Sequence, residues 1–374
     1  MGGPPRVRNS PVTPFHAAPQ HGPRPLPLFL EMLRQETAES PDRQRAALAG
    51  LAAYQAADRG ATRRLGRVKH RRGRARLRDY GGDGPPVVVI PSLINPPFIV
   101  DLTRQQSLLR WLAGQGHRTF LLDWGAPDAT ARTMDIGDHV TQLLLPLIRK
   151  LGQPPILIGY CLGGTIAAAA ACLTPVAGLA MIAAPWHFDG FDASARARIA
   201  ALWTSTRSAC DAMGLVPMEV LQAGFWQLDP ARTIAKYESF AAMAPGSPAA
   251  RSFIALEDWA NAGAPLPYAA GAQMFEALFA DNVTGTGKWT VGGSLIDPAT
   301  LVCPTIDFVS LHDRIVPAAS AIGFADQRKL AAGHVGMVVG SRARLELWEP
   351  LDDWISQVLG AKERTPLSAA GNPP

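Results

Sequence analysis

The apolar residues of this chain follow two rhythms. Some form short continuous runs; others recur every three or four residues along longer stretches. Val87 to Ile90, TFLLDWG (Thr119 to Gly125), the PILIG before Tyr160 and GLAMIAAP from Gly178 are runs of the first kind. Such runs predict strands buried on both faces. Between them, Ser107 to Gly116, Asp135 to Gly152 and Thr165 to Leu173 predict helices, the first ending at a glycine. The β-α-β-α-β-α-β alternation predicts a mostly parallel sheet flanked by helices, an α/β fold. Ligands of such sheets bind beyond the carboxyl ends of the strands. Upstream, LPLFLEMLRQ and Asp42 to Arg59 predict two more helices.

After Pro185 the rhythm changes. From Trp186 to about Thr300 the chain is rich in Trp, Phe, Met and Ala, with helical spacing and few strand runs. Strand grammar returns at Pro304 to Asp313, and RLELWEPLDDWISQVLG predicts a closing amphipathic helix. The expected division is a disordered Pro-rich N-terminus (1–27), N-terminal helices and a basic arm (28–80), a first core part (81–185), an inserted cap (186–300), a second core part (301–360) and a flexible tail (361–374).

Composition narrows the class. The chain has 374 residues, 47% of them hydrophobic, enough for a large core. Four scattered cysteines, Cys161, Cys172, Cys210 and Cys303, form no C-x-x-C pair. They predict a reducing, cytoplasmic compartment, no disulfides and no metal site. The N-terminus lacks the apolar run of a signal peptide. Glycines and prolines cut the apolar region Ile156 to Pro185 into pieces too short to span a bilayer, so no transmembrane segment is expected. Net charge is +5, and Arg59 to Arg78 holds ten Lys/Arg in twenty residues. Such a run can attract nucleic acid, CoA phosphates or an anionic surface. No zinc finger, helix-turn-helix or aromatic RNA-binding signature accompanies it, so it reads as a solvated arm and no nucleic-acid partner is expected.

The chemistry centres on ILIGYCLGGT, Ile156 to Thr165. Strand, glycine-flanked turn and helix make the shape of a nucleophile elbow, usually G-x-S-x-G, here with Cys161 in the serine's place. A cysteine nucleophile needs a base, and the base an orienter. In α/β-hydrolases the chain order is nucleophile, acid, histidine. Asp313, directly after the strand TIDFVSL, and His334, between Gly333 and Gly336 before the last helix, fill those places. Singly, each has a plainer reading: a small buried thiol, a turn cap, a hydrogen-bonded loop histidine. His312 competes for the base role, though strand alternation would turn it from Asp313's face. The expected oxyanion donors are the backbone N–H groups of Leu162 and of Ile94, with Leu93 as the alternative to Ile94. A thiolate is both a strong nucleophile and a good leaving group, which suits exchange of acyl groups between thioesters and hydroxyls.

PSLINPPFIVDLTRQQSLLRWLAGQGHRTFLLDWG, GYCLGGTIAAAAACL, SLHDRIVP and GHVGM together resemble the polyhydroxyalkanoate synthases over roughly Pro86 to Gly360. The likeness is greatest to the short catalytic subunit of the two-subunit class. It implies an α/β-hydrolase fold with a cap, and transfer of 3-hydroxyacyl groups from CoA to a growing polyester. Cys161 would be the acylated nucleophile, His334 its base and Asp313 the orienter. The CoA thioester would be a substrate, with no bound cofactor. A homodimer or an accessory synthase subunit would be the partner, and the surface of a polyester inclusion the place of work. Two alternatives keep the same motifs: a cysteine-dependent hydrolase of polyester or acyl-CoA, and a non-catalytic granule-associated protein.

Overall fold

The computed structural model describes residues 21–59 and 64–363. Most of the stretch expected to be disordered (1–20) and of the flexible tail (364–374) lies outside the described residues, as do residues 60–63 of the basic arm.

Eight strands form one sheet: β1 (Arg67–Arg72), β2 (Ala75–Asp79), β3 (Asp83–Ile90), β4 (His117–Asp123), β5 (Ile156–Tyr160), β6 (Gly178–Ile182), β7 (Thr305–Ser310) and β8 (Gln327–Leu330). Their order across the sheet is β1-β2-β4-β3-β5-β6-β7-β8. The six strands from β4 to β8 are parallel; β1 and β2 run antiparallel to their neighbours. The α/β sheet expected from the alternation is therefore present. Period-two geometry explains the continuous apolar runs. Val87 and Val89 enter the core on one face and Val88 and Ile90 the core on the other, all four fully buried. Each such side chain contributes roughly 1.5–3 kcal/mol by leaving water.

Helices cover both faces. α1 (Leu26–Glu36) begins inside the stretch expected to be disordered, and α2 (Pro41–Ala56) follows. α3 is Leu108–Gly114. The helix expected over 135–152 is α4, α-helical at Ile136–Asp138, π-helical at His139–Leu144 and α-helical again at Leu145–Arg149. Pro146, which has no N–H, sits where the π turn ends. α5 (Leu162–Leu173) lies between β5 and β6. Between β6 and β7 stand α6 (Ala193–Met213), α7 (Met218–Leu228), α8 (Pro230–Ala241), α9 (Pro248–Ala260) and α10 (Tyr268–Ala272, continued as a π-helix over Gln273–Ala280). α11 (Gly336–Val339) follows β8, and α12 is π-helical at Arg344–Trp348 and α-helical at Glu349–Glu363.

Two elements differ from the expectation. The stretch 59–78, read as a solvated arm, carries the β1–β2 hairpin on the sheet edge. Ala75 and Leu77 of β2 are fully buried, while Arg76 and Arg78 bond the Asp123 carboxylate of β4. Lys and Arg on the outer strand β1 blunt an edge that would otherwise invite pairing. The second is β8, whose QRKL carries no apolar rhythm and which is held by its ladder to β7. Among the described residues, no helix is long and apolar enough to cross a membrane.

Candidate active site

One residue joins β5 to α5. Cys161 takes φ 56° and ψ −135°, a conformation that costs a side-chain-bearing residue about 1–3 kcal/mol. Close packing holds it there. A Cβ on Gly159 would lie 2.3 Å from Gly164 Cα, and one on Gly163 would lie 2.1 Å from the Ile90 carbonyl oxygen. Glycine at these two positions lets α5 fold back on its own strand and against the end of β3. The Cys161 N–H donates to Ile182 O at 3.0 Å, and Gly164 N–H donates to Cys161 O at 2.8 Å. The partly exposed thiol therefore stands at the carboxyl end of the sheet.

Asp313 follows β7, and His334 lies in the loop between β8 and α11. Both are buried. One Asp313 oxygen accepts the N–H groups of Ile315 (2.7 Å) and Val316 (2.9 Å). The other accepts from His334 Nδ1 at 2.6 Å. With Nδ1 engaged, Nε2 is left for Cys161, which stands close enough to act on the imidazole. The structure thus brings Cys161, His334 and Asp313 together, Asp313 hydrogen-bonded to His334 and Cys161 beside it. Burial pushes the His334 pKa down. The charge of Asp313, then that of Cys161, and the hydrogen bond to Asp313 outweigh it and raise the pKa to about 10.

Tyr160, one residue before the thiol, was not singled out from the sequence. Its ring stacks on the His334 imidazole with centroids 5.0 Å apart, and its hydroxyl donates to His334 O at 3.3 Å. Burial first, then the charges on Cys161 and Asp313, holds the phenol well above its ordinary range, so it remains a donor. Ser310 adds a second tie, its hydroxyl donating to Ala332 O. The only sequence signal for Tyr160 is its position within GYCLGG.

The thiol opens onto an apolar cleft. The sheet side supplies Ile94, Leu162, Ile315 and Val316; Phe188, Leu221, Phe225, Met274 and Phe279 close it from the other side. Among the described residues, no charged side chain lines it. The Leu162 N–H opens α5, and no acceptor for it stands among the described residues. Ile94 also lines the cleft, but its N–H donates to the Ser92 hydroxyl at 3.2 Å. The expected second oxyanion donor is thus engaged locally, which leaves the Leu93 N–H as the alternative.

Three further histidines stand elsewhere. His312 is exposed. Buried His117 contacts Asp352 at 2.5 Å. Buried His139 contacts Arg74 at 2.5 Å, and burial lowers its pKa to about 4.

A family model described as "Alpha/beta hydrolase family" matches residues 98–347. Among curated proteins, the poly(3-hydroxyalkanoate) polymerase subunit PhaC of Haloferax mediterranei is 28% identical over 288 residues, covering 73% of this chain and 58% of that protein. The protein of the same description from Haloarcula marismortui is 26% identical, covering 73% and 61%. That from Allochromatium vinosum is 24% identical over 291 residues, covering 73% and 81%. The chain spans about six-tenths of the length of the first two relatives.

Proposed function

The chain belongs to the alpha/beta hydrolase family, with its sequence kinship among the polyhydroxyalkanoate synthases. From that premise we propose that it moves 3-hydroxyacyl groups from CoA to a growing polyester through a thioester on Cys161. The observation that carries this reading is the hydrogen-bonded Asp313–His334 pair beside Cys161 at the mouth of an apolar cleft.

In the first step the Cys161 sulfur, its proton held by His334, attacks the thioester carbonyl. The carbonyl oxygen, now an oxyanion, is held by the Leu162 N–H and a donor from the Ser92–Ile94 loop. The C–S bond to CoA breaks, and His334 returns the proton to the leaving thiolate. In the second step the chain-end hydroxyl attacks the acyl-enzyme. His334 takes its proton and passes it to Cys161 as the C–S bond breaks and the ester forms. Asp313 holds the imidazole in the tautomer both steps need. The helices between β6 and β7 act as a cap, and the apolar cleft beneath them excludes the water that would hydrolyse the acyl-enzyme. A homodimer or a second subunit, and a site of work on the surface of a polyester inclusion, belong to the same proposal.

The test mixes purified protein with 3-hydroxybutyryl-CoA, follows free CoA and analyses the acyl product. Release with polyester supports a synthase. Release with monomeric hydroxy acid replaces it by a cysteine hydrolase. CoA release by Cys161→Ala at the wild-type rate would overturn both.

A further inference from the structure

The Cys161 cleft suits only one end of a CoA thioester. Among the described residues no charged side chain lines it, and phosphate groups cannot enter such a place unpaired except at great cost. The anionic nucleotide therefore needs a second site. A separate, open cleft runs between the start of α3, the start of α9 and the segment after α11. Arg104, Arg110 and Arg344 line it, and among the described residues no carboxylate does. Arg110 pairs with Asp101 at 3.0 Å and Arg344 with Glu349 at 3.1 Å, while Arg104 pairs with no carboxylate among the described residues. Two indoles stand beside the arginines. Trp111 and Trp348 lie 5.9 Å apart, and the Arg344 guanidinium sits over Trp111 at 5.8 Å. The Trp111 Nε1 atom is buried and has no acceptor among the described residues.

The cleft is also in the right place. Gln106 donates to Val339 O at 2.8 Å and Ser252 to Gln106 Oε1 at 3.0 Å, which fixes its floor. Val339 ends α11, so a single helical turn separates the cleft from the His334 loop. Guanidinium forks match phosphate oxygens in pairs, and indole faces take a nucleobase by stacking. The basic hairpin carries more charge but is the poorer candidate. Arg72 bonds Gln142 O, Arg74 bonds His139, and Arg76 and Arg78 bond Asp123.

We propose that the Arg104–Arg344–Trp111 cleft binds the phosphorylated adenosine end of the acyl-CoA, so that one ligand spans both clefts. The inference rests on the CoA-dependent reading above, and the following measurements separate the two. Calorimetric titration with 3′-phosphoadenosine 5′-phosphate needs no turnover. Binding is expected to weaken at least tenfold in the double variant R104E/R344E and to weaken with added salt, while K69E/R71E on the hairpin binds as the wild type does. Trp111→Phe, which keeps a ring and loses the N–H, is expected to weaken it a few-fold. With turnover, 3-hydroxybutyryl-CoA is compared with the same acyl group on pantetheine. The ratio of the two kcat/KM values, which a general disturbance would not move, is expected to fall at least tenfold in R104E/R344E. Equal nucleotide binding by wild type and R104E/R344E, or loss of binding in K69E/R71E instead, overturns the assignment. If the wild type cleaves neither thioester, the acyl-transfer reading falls and the titration still decides the cleft.

Discussion

Two buried carboxylates belong to β7 and the turn that follows it, and they are opposites. At the end, Asp313 accepts two backbone N–H groups and the His334 ring, and each oxygen has a donor. In the middle of the strand, Asp307 is 1% exposed and neither oxygen has a hydrogen-bond partner among the described residues. Burial pushes the Asp307 pKa up to about 7 against a smaller opposing pull from the Gly323 N–H and the Gln327 amide, neither of which meets hydrogen-bond geometry with it. A buried charge survives where donors are built around it; elsewhere the group takes a proton and becomes neutral. The donors around Asp313 are supplied by a turn, a histidine loop and the strand end that carries them, which is the mark of a site. Asp307 has no donor in hydrogen-bond geometry among the described residues.

The sharpest break in this contrast comes from the far end of the Asp313 chain. On the proposed mechanism Cys161→Ala removes the atom that carries the acyl group, and CoA release is expected to fall to background. The same variant also removes one cause of the high His334 pKa, so the imidazole should titrate lower by NMR. Asp313→Asn comes next. It removes the larger charge holding His334 up and the acceptor that fixes its tautomer. Turnover is expected to drop by about 10²- to 10⁴-fold, and the His334 titration should move down from about 10. The sign for stability follows from the same shift. His334 lies above its ordinary 6.5, so its protonated form stabilises the fold in full below pH 6.5. That contribution is lost as pH rises through about 10. In Asp313→Asn this part of the pH dependence should disappear from thermal melts. An unmoved His334 titration would show that Asp313 is no more coupled to the site than Asp307 is.

Much of this arrangement was legible in the sequence, and what was hidden has physical reasons. Strands buried on both faces announce themselves as apolar runs, so β3 to β7 could be read. Gly159, Gly163 and Gly164 mark the turn because any side chain there would collide with backbone or with Ala184. Asp313 and His334 could be chosen because the chain order and the strand ends leave few places for an acid and a base. The β1–β2 hairpin was hidden because arginines dominate it; only Ala75 and Leu77 face inward. The strand β8 is held by backbone bonds, which any sequence supplies. Ser92 taking the Ile94 N–H was equally invisible, since a backbone donor has no side chain to betray it. Tyr160 reads as one more strand residue until the imidazole is placed on its ring.

Tyr160 gives a smaller test of how the paired end of the strand is held. Tyr160→Phe keeps the stacked ring and removes the bond to His334 O. One such hydrogen bond is worth about 0.5–1.5 kcal/mol, so kcat is expected to fall about two- to tenfold. KM should stay level, because Tyr160 acts through the imidazole and is absent from the cleft lining. A change confined to KM would assign Tyr160 to substrate binding instead. Tyr160→Ala, which also removes the stacked face, should cost more and loosen the His334 loop.

The unpaired end of the comparison predicts the smallest effect on activity, and an effect on stability of opposite sign. Asp307 has its pKa raised above the model carboxylate value of 3.8 to about 7. Between those values the folded chain holds a proton that the unfolded chain has lost, so stability declines as pH rises from about 4 to about 7 and stays low above. Asp307→Asn preserves the shape and removes the titration. It is expected to stabilise the protein by on the order of 1–2 kcal/mol at pH 8 and to change little at pH 4, as measured by urea denaturation at both values. Activity should be untouched, because Asp307 does not line the catalytic cleft. Loss of stability at pH 8 would mean that the carboxylate has donors after all, and the two ends of β7 would then follow the same rule.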